Sequence, residues 1–494
     1  VMLAAIKAPF IDWSELLPFT VLTVGGVVVL LTGLVGSQRF RRGAVPLLTL
    51  LTLVGAAVAL LGNWNKPAVI VSGALRIDDL TVGLGLICLV GAFFAVILAL
   101  RVDNEEGLGR GEFHTLLIFS VMGMLVLIAA NDLVTLFLGI ELLSIPLYVL
   151  CAGEIRRGRS LESGLKYLIL GSVGSATLLY GLALLYGATG TTSLTKIGAV
   201  LTSSGAPLHD SLFVAGMALV IAGFAFKASA APFHQWTPDV YEGAPASITT
   251  FMATATKAAA LGVLLRVLAG PLLPAIGDWG PIVATISVLS ILVGNFGALG
   301  QDSLKRMLAW SSVAQVGYLL AAVVVADQLG VQALVFYLVV YTFMTLAAFA
   351  VVIDNSREWE EGERMSGISG LGRRRPWLAG AMTVSMVALA GLPPTDGFTG
   401  KLNIIAALVD GNWTWLGFVV VFGSLVSLAY YLRVVAAMWM KEPSAEAPTT
   451  RSRTPEITAV ALVAALLTLG LGFAPSWPLD KATEIGQKSV SSPR

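Results

Sequence analysis

Apolar residues run along this chain in stretches of about twenty, parted by short polar loops. A helix needs about 20 mostly apolar residues to cross the ~30 Å hydrocarbon core of a bilayer. Such runs lie near 16–36, 44–62, 80–100, 113–130, 132–152, 161–186 and 211–231. Others follow near 247–269, 281–300, 306–326, 330–353, 376–409, 414–440 and 456–474. The pattern predicts an all-α integral membrane protein with about 14 transmembrane helices. Only Asn131-Asp132 separates the fourth run from the fifth, which predicts a tight helical hairpin. Lys7 precedes the first run, but that run is long enough to span and no small-residue cleavage pattern stands out. It reads as a membrane helix and not as a cleaved signal.

Two runs are interrupted. The seventh passes through GFAFKASAAPF (223–233) into HQWTPDVYEGAP (234–245), where Pro232, Pro238 and Pro245 argue against a continued helix. The twelfth, 376–409, contains GLPPTDGFTGK (391–401) and would be roughly 50 Å long as one helix. It must tilt or break, and Pro393-Pro394 marks the place. Irregular backbone survives at membrane depth only where protein or water satisfies its polar groups.

The two breaks echo each other. Both contain Gly-Phe-x-x-Lys, as Gly223, Phe224, Lys227 and as Gly397, Phe398, Lys401. The two runs also start on opposite sides of the membrane. Opposed broken helices in corresponding halves are the signature of an inverted repeat with its working site at the break. The expected organisation is an N-terminal three-helix segment (1–112) and two inverted five-helix repeats. The first repeat is 113–269, broken near 228–245; the second is 281–440, broken near 391–400. A loop, the last membrane helix and a tail fill 441–494.

Basic residues set the orientation. One set of loops holds Arg39, Arg41, Arg42, Arg156, Arg157, Arg159, Lys305, Arg306, Arg373, Arg374, Arg375, Arg451 and Arg453. The opposite loops hold chiefly Lys66, Arg76 and Lys196. The first set is then cytoplasmic and both termini lie outside. These arginines read as topology signals and headgroup contacts.

Composition agrees with a membrane protein. Hydrophobic residues make up 56% and charged residues 12%, against about 25% charged in soluble proteins. A formal net charge of +1 argues against a nucleic-acid partner. Cys88 and Cys151 lie in apolar runs and read as small packing residues, not as a disulfide framework or metal site.

Against this background four ionisable residues carry the candidate chemistry: Glu141, Lys227, Lys257 and Lys401. A lysine at a helix centre costs roughly 2.5–3.5 kcal/mol on insertion scales, and such groups mark ion or proton paths. Glu141 and Lys257 stand half-way along their runs, too deep for a side chain to reach the interface easily. Lys227 and Lys401 flank the breaks, where capping freed carbonyls and passing protons are compatible roles. His234 follows the first break and reads equally as a proton relay or a structural hydrogen-bonding group. Lys166, a turn into the sixth run, is expected to snorkel to the cytoplasmic face, with a supporting role in a pathway as the alternative. Lys305 and Arg306 read similarly. Asp132, Glu154 and Asp302, at run ends, read as capping or interfacial groups.

The chain has no GxxxxGK[ST] phosphate cradle, dinucleotide fingerprint, CxxC or haem-ligand pair. No nucleotide or electron carrier is legible in it. It reads as a protein that moves an ion, with energy drawn from a gradient or from partners.

Several long segments resemble the proton-translocating antiporter-like subunits of respiratory complex I. They are KASAAPFHQWTPDVYEGAP (227–245) with the run that bears Lys257, DSLKRMLAWSSVAQVGYLL (302–320), LGIELLSIPLYVL (138–150) and GLPPTDGFTGK (391–401). The resemblance covers about residues 80–440 in the same order. DVYEGAP (239–245) and a lysine at Lys401 fit one branch of that family. The resemblance implies that Glu141 pairs with Lys227, that Lys257 is the central relay, and that Lys401 exchanges with the outer side. Many family members carry a histidine where this chain has Gln315, so a route there needs water or a neighbour such as Tyr318. It also implies a non-redox subunit of a bacterial inner (plasma) membrane translocase. No cofactor is expected in this chain; NADH, FMN, iron–sulfur clusters and quinone are expected in partner subunits. The expected partners are the other membrane-arm subunits, including a neighbouring antiporter-like one, and the lipid bilayer. The alternatives are an Mrp-type cation/proton antiporter subunit and a structural membrane subunit whose charges only fix helix packing.

Overall fold

The computed structural model describes residues 12–100, 108–204, 206–356, 359–443 and 454–491. Lys7, Arg451 and Arg453 lie outside them. The first described helices are α1 (Leu17–Leu34) and α2 (Gln38–Leu61). A short antiparallel hairpin, β1 (Ala68–Ile70) and β2 (Leu75–Ile77), leads into α3 (Asp79–Ala99). Then come α4 (Arg110–Ala129), α5 (Leu133–Cys151), α6 (Gly158–Thr189), α7 (Leu194–Ser204) and α8 (Ser211–Ala228). The middle of the chain forms α9 (Trp236–Gly243), α10 (Ala246–Phe251), a π-helical turn (Met252–Thr256) and α11 (Lys257–Leu268). Next are α12 (Ile276–Leu299), α13 (Leu304–Val325), α14 (Gln328–Ser356) and the single turn α15 (Leu371–Arg374). The chain continues through α16 (Pro376–Ala390), α17 (Asp396–Asp410), α18 (Thr414–Met440), α19 (Pro455–Phe473) and α20 (Ser476–Ser491).

Among the described residues thirteen helical segments are long and apolar enough to cross a membrane. The fourteenth expected crossing is the broken one. Helices α16 and α17 have 15 residues each, about 22 Å apiece, so neither spans alone. Both expected breaks are present. After α8 the backbone turns through Ser229 at φ 70°, and after α16 through Gly391 at φ 81°. These left-handed residues stop each helix and free its last carbonyls.

Two expectations need correction. Pro238 does not interrupt a helix; it lies in the first turn of α9, where a backbone N–H has no intrahelical partner to lose. The end of the chain is also more ordered than a tail. Ser476–Ser491 is helical, and Lys488 of α20 pairs with Asp79 at 2.7 Å.

Burial sorts the helices into a centre and a rim. In the Ala246–Leu268 and Leu304–Val325 segments 94% of the spanning window is buried, and in Gln328–Ser356 89%. In Leu17–Leu34 it is only 22%, with apolar side chains such as Val24, Leu31 and Leu34 facing outward, as lipid-facing helices require. The candidate relay residues Lys257 and Gln315 therefore belong to the innermost helices. Close approach elsewhere is secured by glycine. A Cβ on Gly123 of α4 would stand 2.2 Å from the Leu143 nitrogen of α5, and one on Gly139 would stand 2.7 Å from the Leu127 Cα. The predicted α4–α5 hairpin is thus packed backbone to backbone. Asp132 caps its second helix by accepting from the Val134 N–H.

Candidate functional site

The three candidate relay lysines are almost wholly enclosed: Lys257 is 1% exposed, Lys401 4% and Lys227 5%. None snorkels, and among the described residues none has a carboxylate within ion-pair distance. Each is held by neutral oxygens. Lys227, in the last turn of α8, donates to Ser144 Oγ at 2.7 Å and to Tyr167 OH at 2.9 Å. Its ammonium also stands 5.2 Å from the centre of the Tyr167 ring. Lys257 donates to the Ser312 carbonyl at 3.2 Å and to the Ala228 carbonyl at 3.4 Å. Lys401 donates to the Leu389 and Ala390 carbonyls, both at 3.0 Å, and lies 4.6 Å from the centre of the Tyr318 ring.

The breaks make these seats. Ala228 is the last residue of α8, and Leu389 and Ala390 are the last two of α16. A regular helix would bind those carbonyls itself. Lys401 therefore caps its own break, as the sequence suggested. The first break is capped from across the structure by Lys257, not by the adjacent Lys227. Lys257 reaches it from the residue directly after the π-helical turn, a local widening often found at functional positions.

Glu141 does not pair directly with Lys227. Ser144, one turn further along α5, accepts the Lys227 hydrogen bond and donates its own to the Ile140 carbonyl. One carboxylate oxygen of Glu141, Oε1, is buried without a hydrogen-bond partner. Any coupling between the two charges is through space.

Between Lys257 and Lys401 lies a polar cluster on α13, α14 and α18. Tyr337 OH donates to Gln315 Oε1 at 2.6 Å. Gln315 Nε2 donates to Tyr431 OH at 3.3 Å and to the Leu389 carbonyl at 3.1 Å, the same oxygen that Lys401 binds. Tyr341 OH donates to Ser312 Oγ at 3.2 Å. Tyr318, the neighbour expected to assist Gln315, instead accepts from Asn295 at 3.0 Å. Tyr337 and Tyr341 were not singled out from the sequence. Their i, i+4 spacing on an otherwise apolar helix was the available signal. His234 is buried, its ring 5.1 Å from that of Trp310, and its Nδ1 has no partner.

A second cluster joins the first turns of α6 and α13 to α9. Lys166 does not simply point to solvent; it pairs with Glu162 at 2.8 Å and Asp239 at 2.9 Å. Arg306 pairs with Asp239 at 2.6 Å and Glu242 at 2.9 Å. Lys305 is buried, donating to the Ala244 carbonyl at 2.9 Å. Burial alone would push the Asp239 carboxyl up, but Lys166 and Arg306 hold it below the usual carboxylate range. Its contribution to stability is therefore present above the ordinary carboxyl titration and is lost as pH falls through the depressed one. The two Asp239 pairs are about a third exposed, so Asp239→Asn should cost only about 1 kcal/mol. The loss should shrink in high salt. Melting of the detergent-solubilised protein at two ionic strengths checks this; a salt-independent loss would mean that the network acts as a buried cluster.

Residues 130–427 match the family model for the transmembrane region of NADH:quinone oxidoreductase and Mrp antiporters. The NADH-quinone oxidoreductase subunit N of Trichlorobacter lovleyi is 38% identical, over 96% of this chain and 97% of its own length. The chain belongs to the NADH-quinone oxidoreductase subunit N family. Among solved structures, a chain of respiratory complex I from Thermus thermophilus is similar at 36% identity and TM-score 0.80, covering 94% of this chain and 98% of that one. A chain of the Mrp complex from Dietzia sp. DQ12-45-1b shares the fold, with TM-score 0.84 at 20% identity over 97% of this chain and 98% of that one. The expected family is thereby established. With it stands the expected fold class, apart from the inverted repeats, which these likenesses leave untested.

Proposed function

We propose that this chain is a proton-translocating, non-redox membrane subunit of NADH-quinone oxidoreductase, and that protons move through Glu141, Lys227, Lys257 and Lys401. The observation that carries the reading is the seating of three enclosed lysines on neutral oxygens, two of them on carbonyls freed by the broken helices. Such a lysine can take and lose a proton without breaking a salt bridge. The route runs from Lys227 to Lys257, through the Gln315 cluster, and on to Lys401. His234, Lys166 and Tyr318 support it.

Redox chemistry in partner subunits, which hold the NADH, FMN, iron–sulfur and quinone sites, would drive the relay electrostatically. Two unit charges ~8 Å apart at an effective dielectric of 20 couple by about 2 kcal/mol. That equals about 1.5 pKa units, enough to load or empty a lysine. The partners include a neighbouring antiporter-like subunit, and the site of action is the bacterial inner membrane with both termini outside. The chain divides as 1–112, 113–269, 281–440 and 441–494. The two repeats are supported by matching helix order: α4, α5, α6 and α8 precede the first break, and α12, α13, α14 and α16 the second.

The test is to tag the chain, extract it gently from native membranes and assay NADH-driven quinone reduction. Activity that co-purifies with many other subunits is the expected result. A small assembly without NADH activity, but with Na⁺/H⁺ exchange in vesicles, would overturn it in favour of an Mrp-type antiporter subunit.

A further inference from the structure

Asp396 opens α17 at the second break and is 0% exposed. Neither of its carboxylate oxygens has a hydrogen-bond partner. That sets it apart from the aspartates at the N-cap positions of other helices. Asp78, Asp132 and Asp210 each accept a backbone N–H as a helix cap. Asp396 stands one residue later, at the first position of its helix, with Thr395 at the N-cap. It also differs from the comparably buried Asp79 and Asp354, which pair with Lys488 and Arg375. A buried acid with neither a cap nor a cation is an unfavourable arrangement that packing does not explain.

Its surroundings tie it to the relay. A Cβ on Gly397 would stand 1.9 Å from the Ala388 carbonyl, and one on Gly472 of α19 would stand 2.7 Å from the Asp396 nitrogen. The start of α17 is thus clamped between α16 and α19. One turn further on, Gly400 packs against the Tyr337 ring. Tyr337 donates to Gln315, Gln315 to the Leu389 carbonyl, and Lys401 donates to that same carbonyl. Asp396 and Lys401 therefore bracket one polar cluster, about 7.5 Å apart along the helix axis.

We infer that Asp396 is the acid partner of Lys401 and hands it a proton. The inference rests on the relay reading of Lys401. The carboxylic acid gives its proton, through water admitted at the break, to the neutral amine; an O–H bond of the acid breaks, an N–H bond of the amine forms, and a separated carboxylate and ammonium result. The ammonium then releases outward and the carboxylate is reprotonated from the inner side. The order follows from the predicted orientation, in which α17 runs outward and Asp396 stands inside Lys401. Each half of the chain then has its own acid and lysine, Glu141 with Lys227 and Asp396 with Lys401.

The experiment uses the whole complex reconstituted in vesicles, with protons pumped per electron and infrared difference spectra as readouts. Asp396→Asn is expected to assemble, to lose pumping and to lose a buried protonated-carboxyl band. Asp396→Glu restores both, which a merely structural acid would not require. Wild-type pumping in Asp396→Asn, with pumping lost in Lys401→Ala, overturns the role of Asp396 and leaves the relay standing. Wild-type pumping in Lys401→Ala overturns the relay itself. Should Asp396→Asn fail to assemble, the wild-type complex with isotope-labelled aspartate decides. The absence of any aspartic band that responds to turnover overturns the inference.

Discussion

Lys257→Met, carried in the assembled complex, is expected to abolish proton pumping and to leave the fold intact. The ammonium of Lys257 meets only two backbone carbonyls, at 3.2 and 3.4 Å, in a segment whose spanning window is 94% buried. A charge placed so is a burden on stability, and an apolar side chain of similar length removes it. Stability of the variant should match or exceed the parent. What disappears, on the proposed route, is the amine that links the first break to the Gln315 cluster. Lys257→Arg separates the two roles of the charge. Arginine stays protonated at any working pH, so it supplies the charge but cannot pass the proton. If Lys257 served only to cap the Ala228 carbonyl, arginine would rescue pumping. The relay predicts no rescue. Vesicles fed NADH, with a pH-sensitive dye reporting uptake, give the answer, and wild-type stoichiometry in either variant would sink the central role of Lys257.

Much of this architecture is legible in the sequence because the bilayer imposes a coarse rule. Runs of apolar residues long enough to span announce themselves, and Pro393-Pro394 announces its break. The four ionisable residues were visible for the same reason: against an apolar background a charge is conspicuous. What the pattern does not carry is which oxygen each charge meets. That depends on helix rotation and on contacts between residues far apart in the chain. Ser144 intercepts the expected Glu141–Lys227 pair, and Lys257, not the adjacent Lys227, reaches a carbonyl of the first break. Asp396 escaped notice for a different reason. Acids are common in a first helical turn, and only its missing partners set it apart. Pro238 shows the converse error, a helix breaker placed where a helix tolerates it.

The largest effect on stability is expected outside the relay, at Asp78. This residue caps α3 by accepting the Thr81 N–H at 2.9 Å. It also accepts both terminal nitrogens of Arg266, at 2.9 and 2.6 Å, and meets Arg76 at 3.1 Å. One carboxylate thus joins β2, the start of α3 and the last turn of α11. The Arg266 side chain is 9% exposed and the Asp78 side chain 14%, so this is a largely dry, bidentate pair. Asp78→Asn keeps the cap, since asparagine caps as well as aspartate. It leaves the Arg266 charge buried without its counter-ion, a loss of about 3–5 kcal/mol. Adding Arg266→Leu should recover most of that loss, because the penalty lies in the orphaned charge more than in the missing attraction. Acidity should act on the same clamp. Burial alone would raise the Asp78 carboxyl, but the Arg266 and Arg76 cations and the Thr81 N–H outweigh it and hold it at about 2. The folded value lies below the ordinary 3.8, so the contribution is complete above 3.8 and is lost as pH falls through about 2. Thermal melting in mild detergent checks both statements. A melting temperature unmoved by Asp78→Asn, or a double variant no more stable than the single one, would mean that the clamp does not hold the start of α3 and the end of α11 together.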